Sequence, residues 1–234
     1  MPITVDKVIA IVPAAGVGSR MKADRPKQYL MIHGKTILEH TVTKLLAHPQ
    51  VECVVVAVDE GDPYFSDLSI SQNSRVMRVS GGKERADSVL SALDFLRDQQ
   101  KSCWVMVHDA ARPCLSPADI DKLIDSARSH PVGAILAAPV RDTMKRGLNG
   151  MIKHTVERAD LWHALTPQMF RSDDLYTALS EALEQEVEIT DEASALEWKG
   201  LSPALVVGRS DNFKITQPED LALAEFYLSK NKEQ

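Results

Sequence analysis

The chain has 234 residues, a length that suits one α/β domain with a full core rather than two ordinary domains. Apolar residues make up 44% and charged residues 26%, a balance that excludes a disordered, collagenous or coiled-coil chain. The formal net charge of −6 opposes general attraction to nucleic acid or an acidic membrane surface, so an anionic ligand must be met by locally clustered Lys and Arg.

Short β-rich runs at residues 8–12, 51–58, 75–79, 103–107 and 134–138 predict strands buried on both faces, the rhythm of a mostly parallel, doubly wound Rossmann-like sheet. After the first run, residues 36–47 predict a helix. Ile37, Leu38, Thr41, Val42, Leu45 and Leu46 share one face, and Thr36 with Glu39 has the spacing of a capping box. Further helix starts are expected at Ser116-Pro117, with Ser as cap and Pro in the first turn, and at Thr216, ahead of Pro218 and Glu219. Such helices would cover both faces of the sheet.

Residues 142–158 break this rhythm. Asn149-Gly150 is a hairpin turn signal inside mixed polar and apolar residues without a helical stripe, which predicts a projecting β-hairpin arm at about 140–160. Two strands alone bury too little apolar surface to stand free, so the arm is expected to lie on its own domain or to build a homodimer. The whole of 1–234 is expected to be one domain carrying that arm, with only residues 230–234 frayed.

Cys53, Cys103 and Cys114 show no CxxC spacing, which fits a reducing cytoplasm, and the first two flank apolar runs as packing residues. No leader pattern and no membrane-length apolar run are visible, so a cytoplasmic protein without membrane or nucleic-acid partners is expected.

The most informative segment is Pro13-Ala14-Ala15-Gly16-Val17-Gly18-Ser19-Arg20-Met21, directly after the first strand and continuing to Pro26-Lys27-Gln28. Small residues let backbone N–H groups approach a phosphate or base, and Arg20, Lys22, Arg25 and Lys27 concentrate positive charge in an acidic chain. A dinucleotide fingerprint would need glycine at Met21, and a Walker loop ending at Gly34-Lys35-Thr36 would need glycine at Tyr29, so both fail on spacing. The failed fingerprint also argues against a nicotinamide-dependent oxidoreductase. Asp109 follows the end of a predicted buried strand, where ligands gather in open α/β sheets.

A-A-G-x-G-S-R-M followed by P-K-Q resembles the signature of nucleotidyltransferases that act on phosphorylated sugars and polyols. Further blocks narrow the resemblance: Gly81-Gly82-Lys83-Glu84-Arg85-Ala86-Asp87-Ser88, His108-Asp109-Ala110-Ala111-Arg112-Pro113, Pro139-Val140-Arg141-Asp142-Thr143, Leu165-Thr166-Pro167-Gln168, Thr190-Asp191-Glu192-Ala193 and Asn212-Phe213-Lys214-Ile215-Thr216. In that order and spacing they resemble the methylerythritol phosphate cytidylyltransferases nearly end to end.

The resemblance implies transfer of CMP from CTP to 2-C-methyl-D-erythritol 4-phosphate, with Mg²⁺ bridging the triphosphate. It implies that Ala14, Ala15, Gly16, Gly18, Gly81, Gly82 and Ser88 hold the cytidine. Arg20 and Lys27 are suited to stabilising charge on the α-phosphoryl group. Arg158 and Lys214 are implied to position the acceptor phosphate, with hydroxyl contacts from Thr143, Thr166 and Thr190, and Arg158 reaching a neighbouring subunit's site. Asp109 is assigned to the ribose, the incoming substrate or the metal; Arg112 either binds phosphate or caps its loop; His108 is an orienting or packed residue rather than a base. Rival readings are a nucleotidyltransferase for ribitol 5-phosphate or another sugar phosphate, and a nucleotide-binding module without catalysis.

Overall fold

The computed structural model describes residues 7–16, 21, 24–99 and 102–230. The first half holds β1 (Val8–Pro13), β2 (Met31–Ile32), β3 (Lys35–Thr36), α1 (Ile37–Ala47), β4 (Val51–Val58), β5 (Val76–Ser80) and α2 (Arg85–Asp98). Then come β6 (Trp104–Val107), α3 (Pro117–Ser129), β7 (Ala134–Pro139), β8 (Met144–Leu148), β9 (Met151–Val156) and β10 (Trp162–Arg171). The last elements are α4 (Ser172–Glu184), α5 (Glu192–Trp198), β11 (Ala204–Val207) and α6 (Glu219–Lys230).

The main sheet has seven strands in the order β11-β7-β10-β6-β1-β4-β5. Only β10 runs against its neighbours, pairing antiparallel with both β6 and β7, so the architecture is mixed α/β around a mostly parallel sheet. Alternate residues of one strand serve opposite cores, as the two-residue period of a strand requires. Val8, Ala10 and Val12 pack with Leu38, Val42 and Leu45 of α1 and with Ile120, Leu123 and Ile124 of α3. Ile9 and Ile11 face the other side, where Val89 and Leu93 of α2 meet Leu175 and Leu179 of α4 and Leu196 of α5. A third cluster joins Ala224 and Leu228 of α6 to Ile32, Ile37 and Ile215.

Local signals explain several boundaries. Thr36 Oγ1 accepts from Glu39 N at 3.1 Å and the Glu39 carboxylate accepts from Thr36 N at 2.9 Å, so the capping box closes as the spacing predicts. Ser116 caps α3 through Asp119 N, with Pro117 in the first turn. Two expectations need correction. β5 is not buried on both faces: it lies at the sheet edge, with Arg78 exposed and Arg78 Nη2 donating to Glu60 O at 2.9 Å. The last helix begins at Glu219 rather than at Thr216: the Thr216 hydroxyl donates to Lys214 O at 3.0 Å instead of capping, and the Asp220 carboxylate accepts from Thr216 N and Gln217 N, which folds those residues into a turn ahead of the helix.

Residues β8 and β9 pair antiparallel across Asn149 and Gly150, whose φ values of 50° and 79° suit the primed two-residue turn. At the foot of this excursion Val140 N donates to Leu161 O at 2.9 Å. Leu148, Met151 and Ile152 of the hairpin are exposed. All three cysteines are buried, and burial pushes the Cys114 thiol up to about 11. Among the described residues, no helix is long and apolar enough to cross a membrane.

Candidate active site

A cleft of about 280 Å³ opens at the carboxyl ends of the parallel strands, lined by the loop after β1, the β5–α2 turn, the loop after β6 and Lys214. Parallel strands place their following loops at one edge, so residues far apart in sequence converge there. Gln28, itself buried, donates from Nε2 to Ala14 O at 2.7 Å and Gly16 O at 3.1 Å, which fixes the small-residue loop from behind. Lys27 reaches across to Ile215 O at 3.0 Å and ties that wall to the Lys214 loop.

The opposite wall is the Gly81-Gly82 turn. A Cβ at Gly81 would stand 2.5 Å from Ala15 Cβ, so glycine is what lets the two loops meet. Ser88 Oγ accepts from Gly82 N at 3.1 Å and donates to Glu84 O at 3.2 Å, so its hydroxyl is committed to holding the turn.

The cleft floor is an ionic cluster centred on Asp109. Arg85 Nε donates to Asp109 Oδ1 at 2.8 Å, while Oδ2 meets Lys214 Nζ at 3.0 Å and Arg112 Nε at 3.4 Å. Burial alone would raise the Asp109 pKa, but the three cations outweigh it and hold the carboxyl well below its usual range. Arg85 also forks onto Glu192, with bonds of 2.6 and 3.1 Å. Burial works against the Arg85 charge, and the two carboxylates more than restore it.

Behind Asp109 lies a neutral relay. His108 Nε2 bonds Arg112 O at 3.0 Å, an acceptor, so Nε2 carries the proton and Nδ1 accepts from the Thr166 hydroxyl at 3.0 Å. Thr166 Oγ1 in turn accepts from Asp109 N at 3.1 Å. Burial pushes His108 down to about 4, so the ring is neutral near pH 7 and its nitrogens are engaged.

A model of the family described as 2-C-methyl-D-erythritol 4-phosphate cytidylyltransferase matches residues 8–230. The chain belongs to that family. A curated relative of that name from Vibrio atlanticus (strain LGP32) is 75% identical over 233 residues, covering 100% of both chains. One from Vibrio cholerae serotype O1 is 66% identical over 97% of this chain and 99% of its own. Among solved structures, a 4-diphosphocytidyl-2C-methyl-D-erythritol synthase superposes with a TM-score of 0.84 at 37% identity, covering 95% of this chain and 98% of the other. The Francisella tularensis 2-C-methyl-D-erythritol 4-phosphate cytidylyltransferase superposes at 0.82 and 34% identity, over 94% and 99% of the two chains. The chain is thus a member of a cytidylyltransferase family, and the expected class of enzyme and fold hold.

Of the residues expected in a cytidylyltransferase site, Ala14, Ala15, Gly16, Lys27, Gly82, Ser88, Asp109 and Lys214 line the cleft, with Gly81 at its back. Arg20, Gly18 and Lys22 lie outside the described residues. Arg112 is buried, with Nη1 donating to Asn212 O at 2.7 Å, so of its two expected roles the structure displays the one of holding loops together. Thr166 is buried and spends its hydroxyl on His108 and Asp109 N. Thr190 is exposed and its N–H donates to Ser194 Oγ at 3.1 Å, away from the cleft lining. Thr143 and Arg158 are exposed at the feet of the hairpin and do not line this chain's cleft; Arg158 donates to Arg141 O.

Asp109 does not suit a resident metal in this arrangement. Both of its oxygens already face cations, and no group of three or more His, Cys, Asp or Glu gathers among the described residues. Sequence reasoning assigned no role to Arg85, Glu192, Gln28 or Asn212, although all four stand inside or beside the quoted motif blocks. Asn212 is fully buried and donates from Nδ2 to Thr166 O at 2.7 Å. Burial is the signal for three of them: Gln28, Glu192 and Asn212 are sheltered from water and need partners, and those partners are other motif residues.

Proposed function

We infer that this chain transfers CMP from CTP to 2-C-methyl-D-erythritol 4-phosphate, giving 4-diphosphocytidyl-2-C-methyl-D-erythritol and pyrophosphate. The observation that carries the reading is the meeting of Lys27 and Lys214 at one cleft, beside the Ala14–Gly16 backbone and the Gly-Gly turn. One wall suits a nucleotide, the other end an anion. A phosphate oxygen of the acceptor attacks the α-phosphorus, the bond from that phosphorus to the α–β bridging oxygen breaks, and pyrophosphate leaves with the electron pair. A phosphate monoester has its second pKa at about 6, so the nucleophile is already anionic and no side chain has to deprotonate it. The enclosed, neutral state of His108 agrees with a reaction that needs no base.

The work of the site is alignment of two polyanions and stabilisation of charge on the transferring group. Lys27, with Arg20, is assigned to the CTP phosphates, and Lys214, with Arg158, to the acceptor phosphate. The Gly81-Gly82 turn and the Ala14–Gly16 loop are assigned to the cytidine. Mg²⁺ is proposed to enter with CTP, held by phosphate oxygens and water, as magnesium commonly is.

A homodimer through the hairpin is also proposed. The exposure of Leu148, Met151 and Ile152 supports it, as does the position of Thr143 and Arg158 outside their own chain's cleft. A cytoplasmic location and a single domain complete the reading.

The test is pyrophosphate release by purified protein with Mg²⁺ and CTP. Release with methylerythritol phosphate and not with ribitol 5-phosphate is expected. Release with ribitol 5-phosphate alone would change the acceptor, and binding of CTP without release under any condition would replace an enzyme by a binding module.

A further inference from the structure

The Arg85–Glu192 pair has no part in the mechanism above, yet Glu192 is the more deeply buried of the two carboxylates in the ionic cluster. Glu192 is 1% exposed and sits at the first position of α5, 107 residues from Arg85. Its place is defined by a second buried group: Gln168 accepts from Ala193 N at 2.9 Å and donates to Asp191 Oδ2 at 2.8 Å, clasping the first turn of α5. Arg85 then spans from Glu192 to Asp109, and Asp109 meets Lys214. The four groups come from four separate segments, the starts of α5 and α2 and the loops after β6 and β11. They form one continuous chain of charge-assisted contacts.

Counting charge shows what each member does. Among the described residues, the ion pairs of Arg85, Arg112 and Lys214 are with Asp109 and Glu192, so this cluster carries one net positive charge. Without Glu192 the fork of Arg85 would turn wholly onto Asp109, in competition with Lys214 for the same carboxylate. Lys214 would lose its anchor as the net charge of the cluster rose.

We propose that Glu192 is a positioning residue for the transfer reaction, acting through Arg85 on Asp109 and so on the location of the Lys214 ammonium. The consequence for Lys214 rests on its assignment to the acceptor phosphate. Glu192 never touches substrate; it determines whether Asp109 is shared between Arg85 and Lys214 or monopolised by Arg85.

Three measurements on wild type, Glu192→Gln and the paired Arg85→Met with Glu192→Met test this. The pair is included because a lone buried cation can unfold the single variant, whereas an apolar pair of similar volume usually keeps the fold. In steady-state kinetics, kcat/KM for the acceptor should fall about tenfold or more in Glu192→Gln and less in the paired variant, where no Arg85 is left to monopolise Asp109, with KM for CTP within about twofold of wild type in Glu192→Gln. In calorimetry, inorganic pyrophosphate should bind the free Glu192→Gln protein several-fold more tightly, since one carboxylate charge is gone. Thermal melting separates these effects from loss of fold. A folded Glu192→Gln protein with wild-type acceptor kinetics would overturn the proposal, as would a paired variant with the wild-type melting temperature whose acceptor kcat/KM falls further than that of Glu192→Gln. So would unchanged pyrophosphate affinity in a folded Glu192→Gln protein, a result that needs no turnover and stands apart from the identity of the acceptor.

Discussion

Replacing Asp109 by Asn removes one charge and keeps the side chain's shape, which makes it the sharpest probe of the cleft floor. Asp109 Oδ1 takes Arg85 at 2.8 Å, and Oδ2 takes Lys214 at 3.0 Å and Arg112 at 3.4 Å. An amide offers one acceptor oxygen and no charge, so at least one sheltered cation loses its partner. Breaking a buried pair in this way costs about 3–5 kcal/mol. The low end applies here. The Lys214 side chain is 37% exposed and can turn to water, Arg112 keeps Asn212 O, and Arg85 keeps Glu192. A loss of about 3 kcal/mol, divided by a urea slope of about 3 kcal/mol/M for a chain of this size, lowers the urea midpoint by roughly 1 M. The pH dependence gives a second constraint. The folded Asp109 carboxyl lies below its ordinary value of 3.8, so its stabilisation is fully present above that value and is lost as pH falls through the folded value. The gap between wild type and Asp109→Asn should therefore be flat from about pH 5 to about pH 8 and close in stronger acid. A midpoint shift below about 0.3 M, or a gap that halves between those two pH values, would refute the reasoning.

Gly81→Ala drives a methyl to 2.5 Å from Ala15 Cβ, so CTP affinity by calorimetry should drop at least tenfold, with a stability loss of about 1–3 kcal/mol. Lys27→Ala should lower turnover by about two orders of magnitude in the pyrophosphate-release assay while melting close to wild type. Arg158→Ala should raise the acceptor KM and leave the CTP KM alone; equal changes in both would remove Arg158 from the acceptor side. His108 has a folded pKa near 4 against an ordinary 6.5, so the stability it contributes is complete above 6.5 and is lost as pH falls toward 4. His108→Gln should flatten that part of a urea-midpoint profile, and a profile unchanged by the substitution would show that other groups produce the slope.

The parts of the fold with regular local chemistry were legible beforehand. The run Val51–Val58 is apolar except for Glu52 and rich in valine, and its strand has the predicted ends. Thr36 and Glu39 announced the start of α1 because a capping box is a short-range device. β10 was not recognised: Trp162–Arg171 mixes His, Thr, Pro and Gln into a strand in the middle of the sheet. Pro167 is tolerated there because the ladder to β7 shifts register between Ala164 and Gln168, and that irregularity lies beside Thr166, which bonds Asp109. The cleft was legible in its lining, since Lys27, Asp109 and Lys214 stand in recognisable blocks. Its floor was not, because nothing local in Arg85 or Glu192 announces a partner 107 residues away. Thr190, a hydroxyl beside that same block, faces solvent while its buried neighbour Glu192 takes part in the network.

The reversed direction of β10 also makes a detachable module of the hairpin. β7 and β10 are sheet neighbours that register Pro139 against Trp162, and the Val140–Leu161 bond closes the gap just beyond. The chain therefore leaves and rejoins the sheet at adjacent points, and the seven-stranded framework contains no measure of how long the excursion between them is. Doubling its length would add only about 0.6 kcal/mol of closure entropy. Insertions, deletions or new termini opened between Asn149 and Gly150 would leave every ladder of the main sheet contiguous. A lineage could thus lengthen or shorten the outer part of the hairpin, around Asn149 and Gly150, while Thr143 and Arg158 stay at its feet.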